Sequence, residues 1–394
     1  MKRAFLVFAL LALGVSFLFA YATFSADYAV LTYRRTPVVS SSVVAASLPT
    51  TVASTTRSIP LPITHIATPD PLKAVYMTGW VAGTPHLRDH ILELIDATEL
   101  NAVVLDVKDD TGRISFLVND QELLRTGASE RRIRDIDGLI RDLHARNIYV
   151  IGRIAVFQDR FLPTVRPDLA LHAKSTGEVW RDRKGLTWLQ PRSLAVWEYT
   201  ARIAREAYSR GFDEINFDYV RFPTDGSIED LDFGLTGTTT LHKVAEMGKF
   251  FAYLHKEVRQ RGIPTSADIF GQITSEKNDM GIGQSLEVAA RNFDYVAPMV
   301  YPSHYSTGFL GLAKPAEHPY TVVHYALVEG VKKLVAASST PAQLRPWLQD
   351  FDLGVTYTAA MVRDQIRATN DAGLTSWMLW DPSNGYTKEA LLSD

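Results

Sequence analysis

Residues 71–394 predict an α/β fold, a (β/α)8 barrel of the TIM type, and three observations carry that expectation. Eight short apolar runs recur through this stretch, and each of the first seven is followed by an amphipathic segment of helical spacing. Glycine stands just past several of those segments, in Arg210-Gly211, Arg261-Gly262 and Ala372-Gly373, where a helix would end. The turn after the first run, Thr78-Gly79-Trp80-Val81-Ala82-Gly83, lacks the glycine spacing of a dinucleotide-binding open sheet.

The strands are expected, in order, at 73–80, 101–108, 148–154, 212–220, 265–270, 293–301, 344–351 and 374–380. Their helices are expected near 85–99, 135–147, 193–210, 241–261, 284–291, 319–336 and 358–372. The seventh strand is the weakest of the eight, because Pro346 cannot donate to a ladder.

The remainder of the chain reads differently. Lys2 and Arg3 precede 21 uncharged residues, Ala4 to Phe24. That run is long enough to span a bilayer, yet Ala20-Tyr21-Ala22 and Phe24-Ser25-Ala26 also offer cleavage sites. Residues 1–26 are therefore read as a signal peptide or a transmembrane anchor. Either fate leaves the globular part in the cell envelope, outside the cytoplasm, with the membrane as a partner or with the protein secreted. Residues 27–70 follow as a flexible Ser/Thr/Pro/Val-rich linker, in which Arg57 is the only charge between Thr36 and Pro69. The chain of 394 residues carries a formal net charge of −3, which speaks against a nucleic-acid partner. It has no cysteine, which removes disulfides, thiol nucleophiles and Cys-ligated metals.

In such barrels the chemistry gathers at the C-terminal ends of the strands. The fourth strand ends Asn216-Phe217-Asp218-Tyr219-Val220-Arg221. Strand alternation places Asn216 and Asp218 inside the barrel and Ile215, Phe217 and Tyr219 under the helices. An inward carboxylate is costly unless it is paired or working, and Arg221 is the expected partner of Asp218. The second strand ends Asp106-Val107-Lys108-Asp109, which predicts an Asp106–Lys108 charge network. The fifth strand supplies Asp268, the sixth Tyr301, and the eighth Trp380 and Asp381. Carboxylate pairs between aromatic walls are what hydrolysis of a glycosidic bond requires. Asp218, Asp268 and Asp106 are the catalytic candidates. Trp80, Lys108, Asp109, Arg221, Tyr301, Trp380 and Asp381 are the substrate-binding candidates. Trp180 and Trp188, in the long polar loop 157–192, are expected to wall a groove, while Trp197 and Trp377 are expected in the core.

Other signals are weaker. His86-x-x-x-His90 has the spacing of a zinc pair but lacks the glutamate that would accompany it, and no calcium loop is present, so no metal or other cofactor is expected. A Schiff base on Lys108 and a non-catalytic glycan-binding barrel are the alternatives to hydrolysis. The motifs KAVYMTGWVAG at 73–83, LNAVVLDVKDDTGRISF at 100–116, INFDYVRFP at 215–223, APMVYPSHY at 297–305 and WMLWDPSNGY at 377–386 occur in order. Together they resemble the glycosyl hydrolase domain family DUF4015, across nearly all of 71–394. The resemblance implies a barrel related to glycoside hydrolases and a polysaccharide or oligosaccharide substrate. Asp218 matches the position where amylase-like barrels carry a nucleophile. Asp268 matches the position of their acid, with a shorter side chain than the glutamate usual there.

Overall fold

The structure, a computed structural model, describes residues 63–234 and 241–393. Eight parallel strands close into a barrel: β1 (Lys73–Met77), β2 (Ala102–Lys108), β3 (Tyr149–Ala155), β4 (Glu214–Asp218), β5 (Thr265–Phe270), β6 (Tyr295–Met299), β7 (Trp347–Gln349) and β8 (Trp377–Trp380). Each strand pairs with its sequence neighbours, and β1 pairs with β8 to complete the circle. Among the described residues one main helix follows each of the first seven strands, with shorter helices in the loops: α1 (Pro85–Asp96), α2 (Ile136–Ala145), α3 (Leu194–Tyr208), α4 (Lys243–Glu257), α5 (Leu286–Asn292), α6 (Pro319–Ala336) and α7 (Ala359–Asp371). The expected order of elements is thus the observed one.

The helices start and stop for local reasons. Asp135, Ser193, Ser285 and Thr358 each accept an N–H from the first turn of the helix they precede. The buried residues of α2 are Ile136, Leu139, Ile140 and Leu143, the spacing of a single apolar face turned toward the strands. The outward strand residues Val103, Leu105, Val107, Ile215 and Phe217 fill the layer between barrel and helices. Inside, Ala74, Ala102, Val104, Tyr149, Ile151, Ala297, Trp347 and Met378 form a second, separate core. Two cores arise because alternate residues of one strand face opposite ways.

The observed strands are mostly shorter than the apolar runs. The first ends at Met77, and Thr78 caps a short helix, Gly79–Gly83, which carries Trp80 away from the strand. The β6–β7 seam is the thinnest, with one paired register position, Met299 with Trp347. Proline stands on both sides of it, at 298 and 346, so two ladder donors are missing. The side chain of Gln365 on α7 compensates β7 by donating to the carbonyl of Gln349 and accepting its N–H. At the other end of the barrel, residues 63–70 do not behave as free linker. Ile66 donates its N–H to Asp213, Thr68 meets the Tyr149 hydroxyl, and His65 stacks on Tyr208 at 3.9 Å. The globular unit therefore begins before residue 71.

The 4–24 run and the linker up to residue 62 lie outside the described residues. Among the described residues no helix is long and apolar enough to cross a membrane.

Gly152, on the outer face of β3, lies under Phe212 and Val107, and a Cβ added there would meet both side chains at 2.8 Å. Gly152→Ala is expected to destabilise the barrel by about 1–3 kcal/mol through overpacking, read as a lower urea midpoint with an unchanged slope.

Candidate active site

A cavity of about 350 Å³ opens at the C-terminal ends of the strands. Its lining includes Arg153, Asp218, Tyr219, Arg221, Asp268, Met299, Tyr301, Trp347 and Trp380. Asp218, Met299 and Trp380 end their strands, Tyr219, Arg221 and Tyr301 lie just beyond a strand end, Arg153 and Asp268 point inward from within β3 and β5, and Trp347 opens the short β7.

The floor of the cavity is an ion-pair network around Arg153. This arginine lies on the inner face of β3 and is buried. Its Nε and Nη2 donate to Asp218 Oδ2 at 3.0 and 2.5 Å, and its Nη1 donates to Asp106 Oδ1 at 2.7 Å. Burial works against the guanidinium charge, but Asp218 and Asp106 overcome it and hold its pKa well above the usual value. Asp106 Oδ2 accepts the Tyr76 hydroxyl at 2.5 Å, and Tyr76 stacks on Trp380 with ring centroids 4.0 Å apart. Burial raises the pKa of Asp106, against the pull of Arg153. Asp106 does not line the cavity; it acts on the site through Arg153.

Asp218 and Asp268 both face the cavity but live in different surroundings. Asp218 is tied on both oxygens, Oδ2 by Arg153 and Oδ1 by the N–H of Tyr219 at 2.6 Å. Tyr219 adopts a left-handed φ of 53°, unusual for a residue of its bulk, and this bend lets the chain turn Arg221 back to the opening. Asp268 accepts two neutral donors on Oδ1, Asn216 Nδ2 and Trp347 Nε1, both at 2.8 Å. Among the described residues its Oδ2 has no hydrogen-bond partner. Burial, followed by the nearby charge of Asp218, pushes the Asp268 pKa well above the usual carboxylate range. One cavity therefore holds a carboxylate matched to a buried cation and a carboxyl that favours its proton.

Several expected contacts are replaced. Asp218 pairs with Arg153, not with Arg221. Arg221 instead lies against the rings of Trp188 and Phe270, its Cζ 4.8 and 5.0 Å from their centroids. The Asp106–Lys108 network does not form, because the β2–β3 register shifts between Asp106 and Lys108 and breaks the alternation that would align them. Lys108 is 1% exposed and bonds Asp159 Oδ2 at 2.7 Å, outside the cavity lining, where no substrate carbonyl can reach it.

Asp109 and Trp80 also stand apart from the cavity. Asp109 bonds Arg132 at 2.6 Å, and the Arg132 guanidinium lies over Trp80, which is 58% exposed. Asp381 accepts the N–H groups of Ser383 and Gly385 and so shapes the turn after β8. Tyr301 and Trp380 do line the opening, as expected. Trp180 and Trp188 are buried and wall no open groove. Their indole N–H groups reach Ser227 O and Asp182 Oδ2, both at 3.2 Å. Trp377 is core, as expected, and Trp197 packs partly buried against it. His86 and His90 are exposed on α1. Among the described residues no three His, Asp or Glu side chains converge as metal ligands.

Sequence reasoning missed Arg153, Tyr76, Trp347 and the role of Asn216. A signal for Arg153 was present: it is the one charged residue in the apolar run 148–156, and in phase with Tyr149 and Ile151.

The fold is a closed eight-stranded parallel barrel with an acidic, aromatic-lined cavity at one end. The chain belongs to the family described as "Putative glycosyl hydrolase domain" (DUF4015), whose model matches residues 74–386. Among solved structures, a hypothetical protein from Ruminiclostridium thermocellum is 36% identical, over 49% of this chain and 96% of its own, with a TM-score of 0.45. The alpha-galactosidase of Thermus thermophilus is 14% identical over 84% of this chain, with a TM-score of 0.50. The chitobiase of Flavobacterium johnsoniae is 12% identical over 81%, also at 0.50. This chain spans 61% of the galactosidase and 47% of the chitobiase, and the likeness to both is one of fold. No curated protein matches the sequence.

Two stability predictions follow from the bonding. Arg153→Met leaves two buried carboxylates uncompensated and is expected to cost about 3–5 kcal/mol at neutral pH, measured by urea unfolding. For Asp268→Asn the sign is opposite at high pH. Its Oδ1 can still accept from Asn216 and Trp347, while the amide faces the cavity. In the wild type the folded pKa lies above the unfolded value of 3.8, so stability falls as pH rises from there through the folded pKa. The variant lacks this loss. Its advantage over the wild type should widen as pH rises above 3.8 through the raised folded pKa, and a difference independent of pH would show that Asp268 ionises freely in the folded state.

Proposed function

We propose that this domain hydrolyses glycosidic bonds, with Asp268 as general acid and Asp218 as nucleophile or general base. The observation that carries the reading is the divergent environment of two carboxyls in one aromatic-walled cavity. Glycoside hydrolysis asks for one carboxyl that keeps its proton and one that does not. Burial favours the proton on Asp268, and its unbonded Oδ2 is the atom placed to deliver it to a leaving oxygen. Asp218 faces the same space with its charge matched by Arg153, and its Oδ1 is the less committed oxygen for attack or for activating water.

Trp380 and Tyr301 at the opening supply apolar faces that suit the C–H faces of a sugar ring, with Trp347 buried behind them. Membership of the glycosyl hydrolase domain family supports the same reading. The apolar run at 4–24, followed by a Pro- and Ser-rich stretch, supports an extracytoplasmic place for this chemistry, on a polysaccharide of the envelope or its surroundings.

The acid role makes a specific demand on the leaving group. Asp268→Asn is expected to lower kcat about 10²–10⁴-fold on a natural glycan. It should lower kcat much less on a nitrophenyl glycoside, whose leaving group departs without a proton. Equal losses on both substrates would remove Asp268 from the acid role. Wild-type activity should fall as pH rises through the raised pKa of Asp268, and the residual activity of the variant should lack that alkaline limb.

Asp218→Asn is expected to abolish turnover on both substrates. Because both Asp218 oxygens accept, one amide orientation faces Arg153 and the other faces the Tyr219 N–H. The variant should therefore also lose about 1–3 kcal/mol of stability, so its kinetics are to be read below its unfolding transition.

A further inference from the structure

Arg221 is the cavity's second guanidinium, and it differs from Arg153 in one respect. Arg153 is saturated by two carboxylates, whereas Arg221 makes no ion pair within the described residues. Among the described residues its one hydrogen bond goes from Nη1 to the carbonyl of Phe222 at 3.2 Å. The acids around it are committed elsewhere. Asp218 is held by Arg153. Asp182 accepts Lys184 N and Leu186 N on one oxygen and the Trp188 indole on the other. Asp225 pairs with Arg183 at 3.3 Å. The Trp188 and Phe270 rings fix the guanidinium in place while offering it no acceptor. Burial lowers its pKa only against a value far above neutrality, so the group is charged.

A half-buried cation held by aromatic rings at the wall of a substrate cavity, with Nε and Nη2 unclaimed, is a costly arrangement unless a ligand supplies the anion. Neutral sugars do not. We infer that the glycan bound here is anionic, and that Arg221 receives a carboxylate or sulfate of the sugar unit next to the Asp218–Asp268 pair. A planar two-oxygen acceptor matches the remaining edge of the guanidinium. This inference rests on the hydrolase reading for the identity of the ligand as a glycan, and on Arg221 alone for its charge.

The test uses the full chain and two sets of paired probes. One set is oligogalacturonate, alginate and hyaluronan oligosaccharides, each beside its carboxyl-reduced neutral form. The other is sulfated galactan oligosaccharides beside their desulfated forms. Binding is measured by calorimetry on the Asp268→Asn protein, and turnover on the wild type. At least one anionic form should bind about tenfold to a hundredfold more tightly than its neutral partner, with the preference weakened by salt. The set that shows it separates carboxylate from sulfate. Arg221→Gln should abolish the preference, and Arg221→Lys, which keeps the charge but not the fork, should retain only part of it. Matching near-ultraviolet circular dichroism and melting temperatures identify variants that keep the Trp188–Phe270 packing.

Equal binding of charged and neutral partners, a preference that survives Arg221→Gln, or failure of every anionic probe to bind would overturn the inference. Turnover of neutral glycans with no charge preference would overturn it while sustaining the hydrolase reading. Tight anionic binding through Arg221 with no turnover would do the reverse.

Discussion

The site depends on one buried guanidinium. Arg153 sits where three inner-face side chains meet, and it joins β2, β3 and β4 by bonding Asp106 and Asp218 at once. Two carboxylates inside a barrel would repel each other and lose their hydration. One arginine with a rigid fork offsets both and dictates where each can lie. Tyr76 completes the set by donating to Asp106, and its ring carries Trp380, so a polar network and an aromatic wall share one support.

Arg153 is occupied by Asp106 and Asp218, and among the described residues no cation bonds Asp268. Its donors are an amide and an indole, both neutral, and its neighbour across the cavity is an anion. The asymmetry between the two cavity carboxyls is thus a consequence of how many acids share one base. Asn216 matters here in a second way, since its amide also bonds Ser266 and links the inner faces of β4 and β5 beside the two cavity carboxyls.

The loops serve the same opening from outside. The segment between β3 and α3 folds back through local bridges and buries Trp180 and Trp188. Trp188 then supports Arg221, which the left-handed turn at Tyr219 has swung toward the cavity. At the opposite end, residues 63–70 bond Asp213 and Tyr149 and cover the start of β3 and β4. The cavity thus opens at the C-terminal ends of the strands, while residues 63–70 pack at the opposite end.

The sequence by itself determined the architecture. Period-two apolar runs, helical segments and terminal glycines are local signals, and each reports a local preference that the barrel satisfies. It also determined that Asp218 and Asp268 face inward, because alternation along a strand is a local rule. Partners were another matter. Arg221 is three residues from Asp218 and Lys108 two from Asp106, yet neither pair forms. The register shift in β2 broke the alternation on which the Asp106–Lys108 pairing rested, and beyond the bend at Tyr219 the Arg221 guanidinium packs on Trp188 and Phe270 instead. The true partner, Arg153, is 65 residues from Asp218 and 47 from Asp106. Only barrel closure brings those strand ends within bonding distance. Burial of Trp188, the neutral hydrogen-bond donors of Asp268 and the lack of an ion pair at Arg221 among the described residues were decided there too. Each is set by what packs around the group in three dimensions, and sequence spacing carries no record of that.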